Sequence, residues 1–145
     1  MEEYSYVVNV DGVVIQNDKY LLIERGSNEA HASGLLTFPG GKVEQQPGGE
    51  DTIETTATRE LYEEVGIEIG DVEYVFSTTF ETDNGTPCIN VVTLCELVAG
   101  EAYPRASDEV AAVHWFSSRE IKECSEVPTF IEQFIERIET YCSKN

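Results

Sequence analysis

Positive charge is scarce in this chain. Nine Lys and Arg stand against 28 Asp and Glu in 145 residues, a formal net charge of −19. Such a field repels a DNA or RNA backbone, so no polymeric nucleic acid is expected as a partner. An anionic small molecule would need a metal ion or an Arg beside it to offset the repulsion. Long apolar runs are also missing, and no stretch approaches the ~20 residues of a membrane-spanning helix. The start, Met1-Glu2-Glu3-Tyr4, is acidic and lacks the apolar core of a secretory signal. Cysteine is sparse: Cys88, Cys95, Cys124 and Cys142 form no C-x-x-C pair, which excludes a zinc ribbon or a thioredoxin-like motif. Dispersed cysteines of this kind read as reduced thiols, and the expected location is cytoplasmic.

What is present is ordinary for a folded protein. Hydrophobic residues make up 41% and charged residues 26%, which predicts a single domain over residues 1–145 with a sizeable core. Tyr4 to Ile15 and Tyr20 to Ile23 read as strands around an Asn17-Asp18 turn. Gly26 to Gly34 reads as a loop. Leu35 to Phe38 is a short strand ending at Pro39-Gly40-Gly41, and Glu44 to Glu50 is a second loop. A helix is predicted from Thr52 to Val65, with Asp51 as N-cap, Glu54 completing a capping box, and Gly66 as the stop. Ile53, Ala57, Leu61 and Val65 give it a buried stripe. Val72–Glu81 and Ile89–Val98 read as strands around Asp83-Asn84-Gly85. Val110–Phe116 is a further strand, Ser117 caps a short helix, and Pro128 opens a last helix with Ile131, Phe134 and Ile138. This order predicts an α+β fold, an α/β/α sandwich with a mixed central sheet.

The long helix carries the chemistry. Glu60, Glu63 and Glu64 are spaced i, i+3 and i+4, so their side chains are neighbours, and like charges there weaken a bare helix. Glu64 falls on the edge of the apolar stripe, where a carboxylate is partly desolvated and needs a partner. A solvated acidic face is the plain alternative. A divalent cation is the natural partner of clustered carboxylates, and Mg²⁺ in particular works through carboxylates together with substrate phosphates. Upstream, Phe38-Pro39-Gly40-Gly41 is a turn whose glycines let the backbone approach a metal or phosphate.

Arg59-Glu60-Leu61-Tyr62-Glu63-Glu64-Val65-Gly66-Ile67 resembles the second half of the Nudix box, Gly-x5-Glu-x7-Arg-Glu-U-x-Glu-Glu-x-Gly-U with U a bulky aliphatic. Every fixed position of that half is matched. The likeness extends to Gly12–Ile15, Leu21–Arg25, Phe38–Gly41, Ser107–Glu109 and Trp115-Phe116, nearly the whole chain. The first half departs from the pattern. Asp51 stands where the family has Glu, with Glu50 one residue further out, and the Gln45–Gly49 stretch holds a four-residue insertion.

The resemblance implies hydrolysis, with Mg²⁺ or Mn²⁺, of a nucleoside diphosphate linked to another group. The favoured substrate is a nucleoside or deoxynucleoside triphosphate giving a monophosphate and pyrophosphate. It implies metal ligation by the Gly40 carbonyl and by Glu60, Glu63 and Glu64, with Arg59 orienting the carboxylates and Glu109 as a further acid from a later loop. Arg25, His31 and Gly41 are the implied substrate contacts. His114 reads as a solvent-side strand residue and Trp115 as core. The Val127-Pro128-Thr129-Phe130 segment lacks the Asn with which MutT-type relatives read a purine, so specificity for an oxidised guanine is not implied. An ADP-ribose or nucleotide-sugar pyrophosphatase, a non-catalytic nucleotide-binding module and an acidic cation-binding structural protein are the competing classes. The chain is expected to be a monomer or homodimer.

Overall fold

The computed structural model describes residues 2–26 and 34–144. After a 3₁₀ turn at Glu2–Tyr4, β1 spans Val7–Val13, β2 Ile15–Gln16, β3 Lys19–Arg25, β4 Leu36–Thr37 and β5 Gly40–Lys42. Helix α1 covers Thr52–Val65, followed by β6 (Glu68–Glu81), β7 (Pro87–Ala99) and β8 (Val110–Phe116), then α2 (Ser118–Glu123) and α3 (Thr129–Lys144).

The expected mixed sheet is present, joined by a second sheet. One runs β5-β1-β7-β6, with β1 and β7 parallel and the other pairs antiparallel. The other runs β2-β3-β4, with β8 also antiparallel to β3. Helices cover both faces. Ala57, Leu61 and Val65 of α1 cluster with Val10, Val91, Leu21 and Ile23. Ile131, Phe134, Ile135 and Ile138 of α3 cluster with Val13, Val92, Tyr20 and Leu22. Alternate residues of β3 thus enter opposite cores, which is why Tyr20–Ile23 is apolar without interruption.

Local chemistry explains most boundaries. Asn17 and Asp18 both have positive φ, 54° and 63°, as a tight hairpin between Gln16 and Lys19 requires. Ser117 forms a full capping box with Glu120 at the start of α2. Gly66 ends α1 at φ 71°, its N–H donating to the Tyr62 carbonyl at 2.9 Å.

The capping box predicted at Asp51 does not form. Asp51 sits at φ 51°, ψ 43° and its side chain makes no capping bond; only its carbonyl takes part, accepting from Thr55 N–H at 2.9 Å. The inserted loop delivers the chain to α1 in a left-handed turn, and this conformation swings the side chain off the helix end. A non-glycine residue there costs roughly 1 kcal/mol. Asp51→Gly is therefore expected to raise Tm by a few degrees, measured by thermal melting; a fall would show that the side chain holds the loop.

Candidate functional site

Helix α1 lies against β5, and one contact fixes the register between them. The Gly40 N–H donates to Glu64 Oε1 at 2.9 Å. Glu64 is only 6% exposed, a carboxylate set into the wall of the α1 core as its place on the helical wheel predicts. Burial pushes its carboxyl up to about 8. The Gly40 N–H pulls the other way, the charges of Glu60 and Glu109 push further up, and Arg25 opposes them.

Glu60 is partly buried and also raised, first by burial; Arg59 lowers it, while Glu63 and Glu109 raise it. It needs the glycine beside it, because a Cβ on Gly41 would run into the Glu60 carboxylate. Glu63 lies on the exposed side of the same turn.

Arg59 is the clamp. Its Nη2 donates to the Lys42 carbonyl at 3.0 Å and pairs with Glu60 Oε2 at 3.4 Å, while Nη1 pairs with Glu44 Oε1 at 3.2 Å. Glu44 thus supplies Arg59 with its acid partner, ahead of the insertion. This revises the expectation that Asp51 or Glu50 would stand for the first acid of the motif. Glu44, Glu50, Thr52, Thr56 and Arg59 line a shallow cleft of about 210 Å³ between the inserted loop and α1.

Glu109 and Arg25 reach the cluster from the second sheet. Arg25 pairs with Val110 across a bulge at the end of β3, and the Gly26 N–H donates to the Glu109 carbonyl at 2.8 Å. That approach requires glycine, since a Cβ on Gly26 would lie 2.9 Å from the Asp108 carbonyl oxygen. The segment before it caps α1: Tyr103 N–H donates to Val65, and Arg105 N–H to Glu64. Arg105 also lies 4.6 Å above the Tyr62 ring. The same short stretch therefore closes the helix and delivers Glu109 beside it.

Of the sequence candidates, Gly40, Gly41, Arg59, Glu60, Glu64, Glu109 and Arg25 share one end of the sheets. His31 lies outside the described residues. His114, read as a solvent-side residue, has a third of its side chain exposed, but its Nε2 is buried without a hydrogen bond and faces Glu24 Oε1 at 3.6 Å. Its strand position opposite Leu22 turns it toward the α3 side. Trp115 packs at the edge of the α1 core, partly buried. Asn9, Asp11 and Asn90 were not anticipated and form a hydrogen-bonded cluster on β1 and β7. Their signal was polar residues at alternate positions of Val-rich strands.

The donor set is hard oxygen throughout. Carboxylates that raise one another's proton affinity while two arginines hold the flanks suit a hard divalent cation, with water and ligand oxygens completing its shell. Among the described residues no three such side chains form a ready-made cage.

The Nudix domain family model matches residues 5–138. A MutT-like protein of Streptomyces ambofaciens is 33% identical over 80% of this chain and 67% of its own length. An ADP-ribose pyrophosphatase of Methanocaldococcus jannaschii is 32% identical over 75% of this chain; the chain spans 60% of that relative's length. The crystal structure of a MutT Nudix hydrolase from Burkholderia pseudomallei superposes with TM-score 0.79 at 22% identity, covering 92% of this chain and 98% of that one. Nudix hydrolases generally require divalent metal ions and act on small nucleotides. The acidic turn of α1, its glycine-bearing strand and these matches agree: the chain belongs to the Nudix hydrolase family.

Proposed function

We propose that this chain hydrolyses the pyrophosphate link of a nucleoside or deoxynucleoside triphosphate, giving a nucleoside monophosphate and pyrophosphate, with Mg²⁺ or Mn²⁺. The observation that carries the reading is Glu64: a buried carboxylate held by Gly40 N–H and pushed toward neutrality by Glu60 and Glu109. Such a site is costly unless a cation settles it.

Glu60, Glu63, Glu64 and the Gly40 carbonyl would hold the ion. Bound there, it supplies Lewis-acid charge to phosphate oxygens and makes water more acidic. The protein's own groups position the rest. Arg59 keeps Glu60 from swinging into solvent. Arg25, at the end of β3, offers a planar guanidinium to a phosphate. A carboxylate oxygen of Glu109 takes the proton as water attacks phosphorus and the bridging P–O bond breaks. The chain works as a monomer or homodimer in the cytoplasm, in keeping with its four free thiols.

A nucleotide panel with Mg²⁺ and Mn²⁺ tests this, with pyrophosphate and monophosphate products counted separately. Triphosphates releasing pyrophosphate support it. Turnover confined to ADP-ribose would move the chain to the activity in its archaeal relative's name, and no turnover on any nucleotide would leave a binding module. Arg59's partner gives a finer check. Glu44→Gln is expected to lower kcat roughly three- to tenfold at unchanged Tm, since one side of the Arg59 clamp goes while Lys42 and Glu60 remain. Asp51→Asn should leave kcat alone; the reverse order would restore the motif's usual first acid.

A further inference from the structure

The end of α1 has no cation of its own. Its last turn carries Glu63 and Glu64 but no basic residue, so two carboxylates sit on the negative pole of the helix. The carbonyls of Tyr62, Glu63, Glu64 and Val65 lie beyond the reach of the helix's own ladder. Gly66 N–H donates to the first of them at 2.9 Å. The stretch before β8 takes the other three. Tyr103 N–H donates to the Val65 carbonyl at 3.1 Å, and the N–H groups of Arg105 and Ala106 both donate to the Glu64 carbonyl, at 3.0 and 3.3 Å. The Arg105 side chain reaches the Glu63 carbonyl with Nη1 at 3.4 Å. Tyr103 closes so tightly over Gly66 that a Cβ there would run into its ring.

Glu109 hangs on this attachment. Its N–H donates to the Ala106 carbonyl at 2.9 Å, and Val110 N–H donates to the same oxygen at 2.8 Å. Two hydrogen bonds therefore lead from the Glu64 carbonyl, through Ala106, to the Glu109 backbone. Arg105 stands at that junction. Its guanidinium lies 4.6 Å above the Tyr62 ring while Nη1 meets the Glu63 carbonyl. A planar cation can do both at once, flat on a ring with an N–H left for an acceptor at the rim. It also brings the positive charge that this helix end lacks. Arg105 and Tyr62 are both exposed, so neither is placed there to fill a core. The Nudix pattern leaves position 62 open, and the motif alone gives no hint of the pair.

We propose that Arg105 is a positioning residue for hydrolysis: seated on Tyr62 and the Glu63 carbonyl, it latches residues 103–109 to the end of α1 and so fixes Glu109 against Glu60 and Glu64. This rests on the reading above, in which Glu109 takes the proton from water. Arg105 acts through the backbone of Ala106 and Glu109, not on the substrate. Opening the latch leaves the α1 carboxylates where Gly40 and Arg59 tie them to β5, but it lets Glu109 drift. Nucleotide binding then survives, while the geometry of proton transfer does not.

Arg105→Ala is expected to lower kcat roughly tenfold and to change KM by less than about twofold. Tyr62→Leu removes the ring from the other side of the latch and should do the same, and the two together should lose hardly more than either alone. On Glu109→Gln the Arg105→Ala loss should shrink to less than about twofold, because the carboxylate it positions is already gone. Hydrogen exchange in metal-free protein reads the latch without turnover. The Ala106 and Glu109 amides should exchange roughly three- to tenfold faster in Arg105→Ala, with the Gly40 amide unchanged. An unchanged kcat, a loss carried by KM, or a tenfold loss repeated in full on Glu109→Gln overturns the proposal, as do unchanged amides at 106 and 109. Faster amides in a chain that turns over no nucleotide uphold the latch and sink the hydrolase reading instead.

Discussion

Glu64→Gln is expected to abolish most turnover while leaving the fold intact or firmer. Gln keeps an oxygen for the Gly40 N–H, which now bonds Glu64 Oε1 at 2.9 Å. It removes a carboxyl whose charged form is disfavoured by burial and by the Glu60 and Glu109 charges. Kinetics should show kcat down by roughly 10²–10³-fold, the scale of losing one preorganised electrostatic group. The melting temperature in EDTA should hold or rise.

The same residue sets the pH dependence of stability. Glu64 titrates at about 8 in the folded chain against an ordinary 4.5. Between those values the folded state keeps a proton that the unfolded chain has lost, so this contribution is fully present below about pH 4.5 and drains away as pH rises through 8. Glu60 shifts in the same direction. Asp11 does too, raised to about 6, with burial outweighing its bonds from Asn90 and Asn9 and the pull of Arg25. Metal-free protein should therefore lose several degrees of Tm between pH 5 and pH 8.5, and Glu64→Gln should flatten the curve. On the proposed ligation Mg²⁺ would bind the ionised form, so the Tm it restores should grow with pH. An Mg²⁺ effect equal at pH 5.5 and pH 8.5 would count against ligation by these carboxylates.

Periodicity and turn chemistry made much of this molecule readable in its sequence. The predicted bounds of α1 and β8 are the observed ones. Gly66, Ser117 and Asn17-Asp18 do what their chemistry demands, because each acts over a few residues. Glu64 was legible for the same reason: a wheel places it on the edge of a stripe, and burial follows. What escaped depends on contacts distant in sequence. Glu44 finds Arg59 only because β5 lies beside α1, and no spacing rule survives the insertion between them. Asp51 carried the right residue type for a cap, but the incoming loop decided its φ. His114 alternates correctly along β8, yet which face is wet depends on α3. Asn9, Asp11 and Asn90 meet only when β1 and β7 pair in parallel, 81 residues apart from Asn9 to Asn90. Their polar positions inside apolar strands were visible, but their partner was not.

Gly40→Ala should cost stability and Gly41→Ala should cost activity, although the two are neighbours. A Cβ on Gly40 would meet the Val10 carbonyl and the Asp11 backbone. Neither can give way without parting β1 from β5, so destabilisation of roughly 1–3 kcal/mol or more is expected, seen as a Tm lower by several degrees. Glu64 would also lose its donor. On Gly41 the new methyl would first meet the Glu60 side chain, which is flexible. Glu60 can swing away, which spares the fold but breaks its 3.4 Å contact with Arg59 and moves an oxygen of the proposed metal site. A displacement of that size costs roughly a hundredfold in rate, with Tm nearly unchanged. A double-mutant cycle isolates the cause. If Gly41 exists to make room for Glu60, then Gly41→Ala made on Glu60→Gln loses far less than on the wild type, because the carboxylate it misplaces is already gone. Full additivity of the two losses would instead assign Gly41 a contact of its own with the substrate.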